Sequence, residues 1–305
     1  MSDRRADILS LGGEGGLPYS KGILARALIA TGLAAVPAYE LALRVERDLA
    51  ARGESVLDLE RLEALAQEAL GEEEGQEAVR RLRRWRELQE LDVPIVLLIG
   101  GGTGTGKSRV ATEVAYRLGI TRVTSTDFIR QTMRAFFEEQ FMPSIHHSSF
   151  EAGSALPEGE TSDPVLAGFL DQTRNVLVGA RAVIDRALQE GWSMVLEGVH
   201  LVPGMLPPFE GALAVHCVLE IADETEHASH FWVRDSSSAG LRPVDRYLRA
   251  LPQIRHIQRY IVERARRAGV PVIENSSMER TITQVMELVL AGAEQLEAVP
   301  SGAGD

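Results

Sequence analysis

The stretch Gly101-Gly102-Thr103-Gly104-Thr105-Gly106-Lys107-Ser108 constrains this chain more than any other. So many glycines close together do not sit inside a regular element, because glycine loses more backbone entropy on ordering than any other residue. The flanks have the opposite character. Ile95-Val96-Leu97-Leu98-Ile99 is a continuous apolar run, the pattern of a parallel strand covered on both faces. Arg109 to Leu118 has helical periodicity. A strand, a glycine turn and a helix in that order make a phosphate cradle: backbone N–H groups turn inward and the helix adds its positive N-terminal end. The residues fit G-x-x-x-x-G-K-[ST], in which Lys107 reaches the β and γ phosphates and the Ser108 hydroxyl is a ligand for Mg2+. A chance glycine loop is the competing account, and the correct flanking elements count against it. Nucleoside triphosphate binding is therefore expected at Gly101, Gly102, Thr103, Gly104, Thr105, Gly106, Lys107, Ser108 and Arg109.

Lysine usage sharpens the point. Among 32 basic residues only two are lysine, Lys21 and Lys107. Arg-rich codon bias explains the scarcity, but one of the two survivors stands where a compact point charge is needed and a planar fork does not fit.

The chain of 305 residues has room for two domains. Ser20 to Gln89 reads as helical, with Ile23, Leu24, Ala27 and Leu28 at helical spacing and Gly32 and Val36-Pro37 as punctuation. Gln76 to Gln89 reads as a charged, solvated helix. Strand-like and helical runs alternate after Pro94. Arg122–Ser125, Ser193–Glu197, Leu213–Glu220 and Val270–Glu274 read as strands; Ile129–Glu139, Asn175–Glu190, Pro252–Ala268 and Thr281–Leu296 read as helices. That alternation predicts an α/β fold with a mainly parallel sheet. The expected division is a small, mainly helical domain over 1–90, a P-loop NTPase domain over 91–296 with a three-layer parallel sheet, and a flexible tail over 297–305.

Net charge of -12 disfavours a nucleic-acid backbone as partner. No apolar run approaches the roughly 20 residues of a membrane span, and the glycine-rich residues 1–16 lack the apolar core of a signal peptide. A single cysteine, Cys217, excludes a disulfide framework within the chain and fits a reducing cytoplasm.

Several residues point to phosphoryl transfer onto a small molecule. Asp127, just after the second strand, can orient an acceptor hydroxyl and take its proton; the alternative is a helix N-cap, and the two roles are compatible. Arg130 and Arg134 lie four apart, hence on one helix face, where they line an anion pocket or form a solvated stripe. Glu197 closes an apolar strand, where open α/β sheets bind ligands, and suits a Mg2+ water ligand; pairing with an arginine is the bland alternative. His146-His147-Ser148-Ser149 lacks the spacing of a zinc site and reads better as a substrate-contacting loop. Arg234, Arg242 and Arg246 flank Ser236-Ser237-Ser238-Ala239-Gly240, which suggests a lid closing on phosphates. Surface pairing with Asp235, Asp245 and Glu263 is the alternative, and covers at least Arg255 and Arg259.

The chain resembles the 2-phosphoglycerate kinase family. The matching strings are Pro18-Tyr19-Ser20-Lys21-Gly22-Ile23-Leu24-Ala25-Arg26, Ser125-Thr126-Asp127-Phe128-Ile129-Arg130, Met133-Arg134, Ser148-Ser149-Phe150, Glu197-Gly198-Val199-His200-Leu201-Val202-Pro203-Gly204, Arg242-Pro243-Val244-Asp245-Arg246-Tyr247-Leu248 and Val270-Pro271-Val272-Ile273-Glu274-Asn275. The resemblance implies an ATP-cone-like N-terminal module, a nucleoside-monophosphate-kinase-like P-loop fold, and ATP-dependent phosphorylation of the 3-hydroxyl of 2-phosphoglycerate. On that basis Lys107, Asp127, Arg234 and Arg242 are expected to be catalytic. Asp127, Arg130, Arg134, His147, Glu197, His200 and Arg246 are expected to bind a small anionic phosphorylated substrate, with ATP and Mg2+ as cofactors and Ser108 and Glu197 (through water) at the metal. Another phosphorylated polyol or sugar acid as acceptor, or a nucleotide-sensing regulator with no transfer chemistry, are the alternatives.

Overall fold

The computed structural model describes residues 19–157, 159, 161–237 and 244–298. The chain divides into two compact units, Met1–Leu91 and Asp92–Asp305. The first holds four helices: α1 (Lys21–Ala30), α2 (Ala35–Arg52), α3 (Leu59–Leu70) and α4 (Glu72–Glu90). Leu24, Leu28, Leu41, Val45, Leu62 and Leu82, one stripe from each helix, bury themselves in a single core. Pro37 lies in the first turn of α2, where its missing N–H costs nothing. On α4, Arg81 and Arg86 form ion pairs with Glu77 and Glu90 along the helix surface.

The second unit is built on five parallel strands, β1 (Ile95–Gly101), β2 (Val123–Ser125), β3 (Met194–Glu197), β4 (Leu213–Glu220) and β5 (Val272–Glu274), in the order β2-β3-β1-β4-β5. This is the expected α/β P-loop arrangement. Every residue of β1 is buried, as its unbroken apolar run requires. Side chains alternate between faces. Val96 and Leu98 pack with Val176, Ala180 and Ile184 of α7 (Pro164–Gln189), and Val218 packs with Ile254, Ile257 and Ile261 of α10 (Leu251–Arg267). Leu213 and Val215, of opposite parity to Val218, meet Gly292 on α11 (Met278–Ala298), and α11 packs beside α5 (Lys107–Leu118). The sheet is thus sandwiched between two helical layers.

Helix boundaries depart from the periodicity in instructive ways. α6 runs Thr126–Phe136 rather than Ile129–Glu139, because the Ser125 hydroxyl accepts the Phe128 N–H at 3.0 Å and starts the helix early. The apolar Phe136 and Phe137 that extended the expected helix lie toward solvent instead. α7 begins three turns ahead of Asn175. Asp163 caps it through the Leu166 N–H at 3.0 Å, and Pro164 opens it. Within that added stretch stands Gly168, a poor helix residue, which is needed because the Ala152–Ala155 turn packs against its backbone; a Cβ there would lie 2.3 Å from Gly153 N.

α8 (Glu224–Ser237) and α9 (Val244–Arg249) follow β4. Residues 238–243, with Arg242 and most of the expected lid, lie outside the described residues, as do residues 1–18, the side chain of Arg234 and residues 299–305 of the expected tail. No helix among the described residues is long and apolar enough to cross a membrane.

Candidate active site

The sheet register sets the site. Ser125 stands level with Glu197, and Glu197 level with Ile99. The C-terminal ends of β2, β3 and β1 therefore deliver Asp127, Glu197 and the glycine loop to one edge, the usual ligand position in such sheets. A cavity of about 840 Å3 opens there, lined by Thr103, Gly104, Gly106, Lys107, Ser108, Arg109, Asp127, Arg130, Glu197 and Arg246 among others. An annex of about 310 Å3 is lined by Arg130, Gln131, Arg134, His146, His147, Ser148, Glu151 and Arg246.

The glycine loop is held from behind by its carbonyls. Lys107 Nζ donates to the Gly102 carbonyl at 2.6 Å, and Asn275 Nδ2 donates to that of Thr105 at 2.8 Å. His227 Nε2 lies 2.8 Å from the Thr103 oxygen and His230 Nδ1 3.1 Å from that of Gly104. Both ring nitrogens face oxygens that only accept, so each carries its proton there. Four successive carbonyls are thereby engaged, and the N–H groups entering α5 remain for phosphate oxygens. Asn275 is itself fixed by the Thr281 hydroxyl, which donates to its Oδ1 at 2.8 Å. Burial pushes His227 down to about 4, so that ring stays neutral at physiological pH. The sequence reading missed His227, His230 and Asn275. The available signal was the three-residue spacing of the two histidines on α8, which puts them on one face.

Burial lowers the pKa of the Lys107 ammonium, while Glu197 and Asp127 pull it back up. The Ser108 hydroxyl donates to Glu197 Oε1 at 2.8 Å. Glu197 thus has a serine of the loop as partner, and no arginine pairs with it among the described residues. Two hard oxygen donors so placed at the cavity suit Mg2+.

Asp127 stands in the first turn of α6 with its side chain 62% exposed toward solvent, and Ser125 holds the N-cap position instead of it. Arg130 Nε and Nη2 both donate to Asp127 Oδ1, at 3.0 and 2.9 Å. Among the described residues that leaves Oδ2 without an arginine bond. Arg130 is itself buried and gives Nη1 to the Ile145 and His147 carbonyls at 2.8 and 3.0 Å. Arg134 lies on the annex, bonded to Gln131, and His147 shares it. Arg246 reaches the annex from α9 and binds Glu151 and Ser148. The Arg246 guanidinium holds the Glu151 carboxyl below the usual carboxylate range.

Two expectations need correction. His200 was expected to touch substrate. It is fully buried, bonded to Thr126 and Gln172, and faces neither cavity, because the chain after Glu197 turns inward at Gly198. Gly198 adopts φ +154, and a Cβ there would overlap the Thr126 hydroxyl. Arg255 was assigned to Asp235, Asp245 or Glu263; it binds the Ile221 and Ala222 carbonyls and Glu224, since α10 brings it under the end of β4.

No family model matches the chain. Curated proteins do. The chain is 36% identical over 283 residues to a 2-phosphoglycerate kinase of Pyrococcus horikoshii, covering 93% of each protein. It is 37% identical over 284 residues to the 2-phosphoglycerate kinase of Pyrococcus furiosus, again covering 93% of each. Against that of Methanothermobacter thermautotrophicus it is 39% identical over 274 residues, 88% of this chain and 89% of the relative. Similarity of this degree along nearly the whole length of both proteins shows that the chain belongs to the 2-phosphoglycerate kinase family.

Proposed function

We propose that the chain transfers the γ-phosphoryl group of ATP to the 3-hydroxyl of 2-phosphoglycerate, giving 2,3-bisphosphoglycerate. The observation that carries this is the meeting in one cavity of a clamped phosphate loop, a carboxylate with one oxygen unengaged among the described residues, and an arginine-lined annex. The names of the relatives support the same acceptor.

The chemistry follows from the placements. The acceptor brings a carboxylate and a phosphate, and Arg134 and Arg246 at the annex match them with planar forks. Its hydroxyl then faces Asp127 Oδ2. As the bond from the hydroxyl oxygen to the γ phosphorus forms and the bond from phosphorus to the β–γ bridging oxygen breaks, the hydroxyl proton passes to Asp127. Lys107 offsets the charge on the β and γ phosphates. Ser108 would hold Mg2+ directly and Glu197 through water, and the ion would neutralise charge on the phosphate oxygens. Arg234 and Arg242 complete the reading as lid arginines that exclude water. Residues 1–90 serve as the ATP-cone-like module, in which Lys21 pairs with Glu46. Both substrates are soluble anions and the single cysteine is a buried free thiol, which suits a cytoplasmic enzyme.

The test is Mg-ATP consumption by the purified protein with 2-phosphoglycerate, 3-phosphoglycerate or glycerate, with phosphorus NMR of the product and Lys107→Ala as control. A bisphosphate from 2-phosphoglycerate alone, absent with Lys107→Ala, is the expected result. Turnover with none of the three acids while ATP binds would sink the acceptor assignment.

A further inference from the structure

Beneath Asp127 lies a buried polar circuit whose inner members, Thr126, His200 and Gln172, line neither the cavity nor its annex. Thr126 Oγ1 is 2.8 Å from His200 Nδ1, and His200 Nε2 is 2.9 Å from Gln172 Oε1. The direction of every bond is fixed from the far end. Gln172 Nε2 reaches the Ser144 and His147 carbonyls, which only accept, so the amide nitrogen lies there and Oε1 faces the ring. His200 therefore donates from Nε2, and its bare Nδ1 accepts the Thr126 hydroxyl. The His147 carbonyl also accepts Arg130 Nη1, and Arg130 returns two bonds to Asp127 Oδ1. The circuit starts at Thr126 and ends at Asp127, its neighbour in sequence. Thr126, His200 and Gln172 are fully buried, Arg130 is nearly so and edges the cavity, and the exposed Asp127 carboxylate reaches into it. Phe169 stacks on the His200 ring at 6.3 Å between centroids. Burial pushes His200 down to about 3, so the ring stays neutral and the bond directions hold.

We infer that Thr126, His200 and Gln172 are positioning residues for phosphoryl transfer: through the Ser144–His147 turn and Arg130 they aim Oδ2 of Asp127 at the acceptor hydroxyl without touching substrate. A circuit in which Gln172 Nε2 and Arg130 Nη1 each hold two carbonyls of the turn, and share that of His147, restricts the turn to one arrangement, so Arg130 presents its Nε–Nη2 edge in one orientation. The inference rests on the assignment of Asp127 as proton acceptor.

The test is a double-mutant cycle between Thr126→Val and Asp127→Asn, read with 2-phosphoglycerate and Mg-ATP well below the melting temperature. Thr126→Val keeps the shape and removes the proton that Nδ1 accepts. The expected result is a kcat lowered about 10- to 100-fold with the KM for ATP within about twofold, since misplacing a reacting group by about 1 Å costs that much. Thr126→Ser should restore kcat to within about threefold. In the Asp127→Asn background Thr126→Val should add no further loss, because both changes remove the same function. A Thr126→Val protein with a lower melting temperature but unchanged kcat overturns the inference and leaves Asp127 as proton acceptor. Full additivity in the double mutant overturns it too. An unaffected Asp127→Asn enzyme refutes the assignment on which it rests, a separate outcome.

Discussion

Replacing Asp127 with asparagine tests the transfer chemistry more directly than any other single change. Asparagine matches the shape of aspartate, and its Oδ1 still accepts the two bonds that Arg130 gives at 3.0 and 2.9 Å. What changes is the other branch. Oδ2, the proposed proton acceptor, becomes an NH2 that donates and cannot take a proton. General-base assistance is worth about 10²- to 10⁴-fold, or about 3 to 5 kcal/mol of barrier, and kcat should fall within that range. Stability should hardly move. A carboxylate in the first turn of a helix contributes about 0.3 to 1 kcal/mol through the helix dipole, so the melting temperature of a unit this size should drop by at most about 4 °C. The cap of α6 is Ser125, which the substitution leaves alone. The assay is steady-state turnover with ATP and 2-phosphoglycerate varied in turn, beside a thermal melt. Loss of kcat with an unchanged KM for ATP is the expected pattern. A kcat within about threefold of the parent, or an equal rise of both KM values, would refute the proton-acceptor role.

Two further outcomes follow from buried groups. Asn275→Ala strips partners from the Thr105 carbonyl and the Thr281 hydroxyl, each costing about 1 to 3 kcal/mol when left buried and unpaired. The KM for ATP should rise about tenfold or more while the acceptor KM holds; a lowered melting temperature with unchanged ATP kinetics would show that Asn275 supports the fold and not the loop. Burial keeps His200 at about 3 and His216 and His227 at about 4, against 6.5 for an exposed imidazole, so the unfolded chain binds more protons than the folded one below 6.5. Stability is therefore lost as pH falls from 6.5 toward 4, by about 2 kcal/mol per histidine at pH 5. Melts at pH 7 and pH 5 should differ by roughly 10 °C or more; equal melting temperatures would contradict the burial of these rings.

The nucleotide half of the site was legible in the sequence because its chemistry is local. A glycine loop, Lys107 and Ser108 are neighbours in the chain, and the apolar run before them has no other plausible role. Glu197 was legible for a related reason: it ends a strand, and strand ends in a parallel sheet converge. The carbonyl clamp was not, since His227, His230 and Asn275 act on residues 124 to 170 positions away, and the spacing of the two histidines shows a shared face but not what that face meets. His200 shows the opposite failure. Its place in a distinctive string suggested contact with substrate, but a string records only that the residue matters, and the inward turn at Gly198 decides where it points. The helix boundaries failed where apolar residues do not face the core, as with Phe136, and where a glycine serves a packing contact, as with Gly168.

The two sides of the cavity are built on different principles, and that difference separates binding from selectivity. On the proposed ATP side the ligands are mainly backbone N–H groups and Lys107; a phosphate chain is the same in every triphosphate, so main-chain donors and a compact point charge suit it. The acceptor side has no such uniform target. It is made of arginines on α6 and α9 and of the short turns between residues 143 and 155, elements too small to hold their own geometry. Their rigidity comes instead from Gln172 and Arg130, which bind the carbonyls of that segment from beneath. Changes to the annex members Arg134 and Arg246, which are exposed, and to the half-buried His147 should therefore alter which acid is accepted while ATP binding persists. Changes to the buried ones should weaken transfer for every acid alike, because they loosen Asp127 itself. A variant of Gln172 that shifted acceptor preference without lowering kcat for the preferred acid would break that division, and with it the claim that this side of the site is aimed from below.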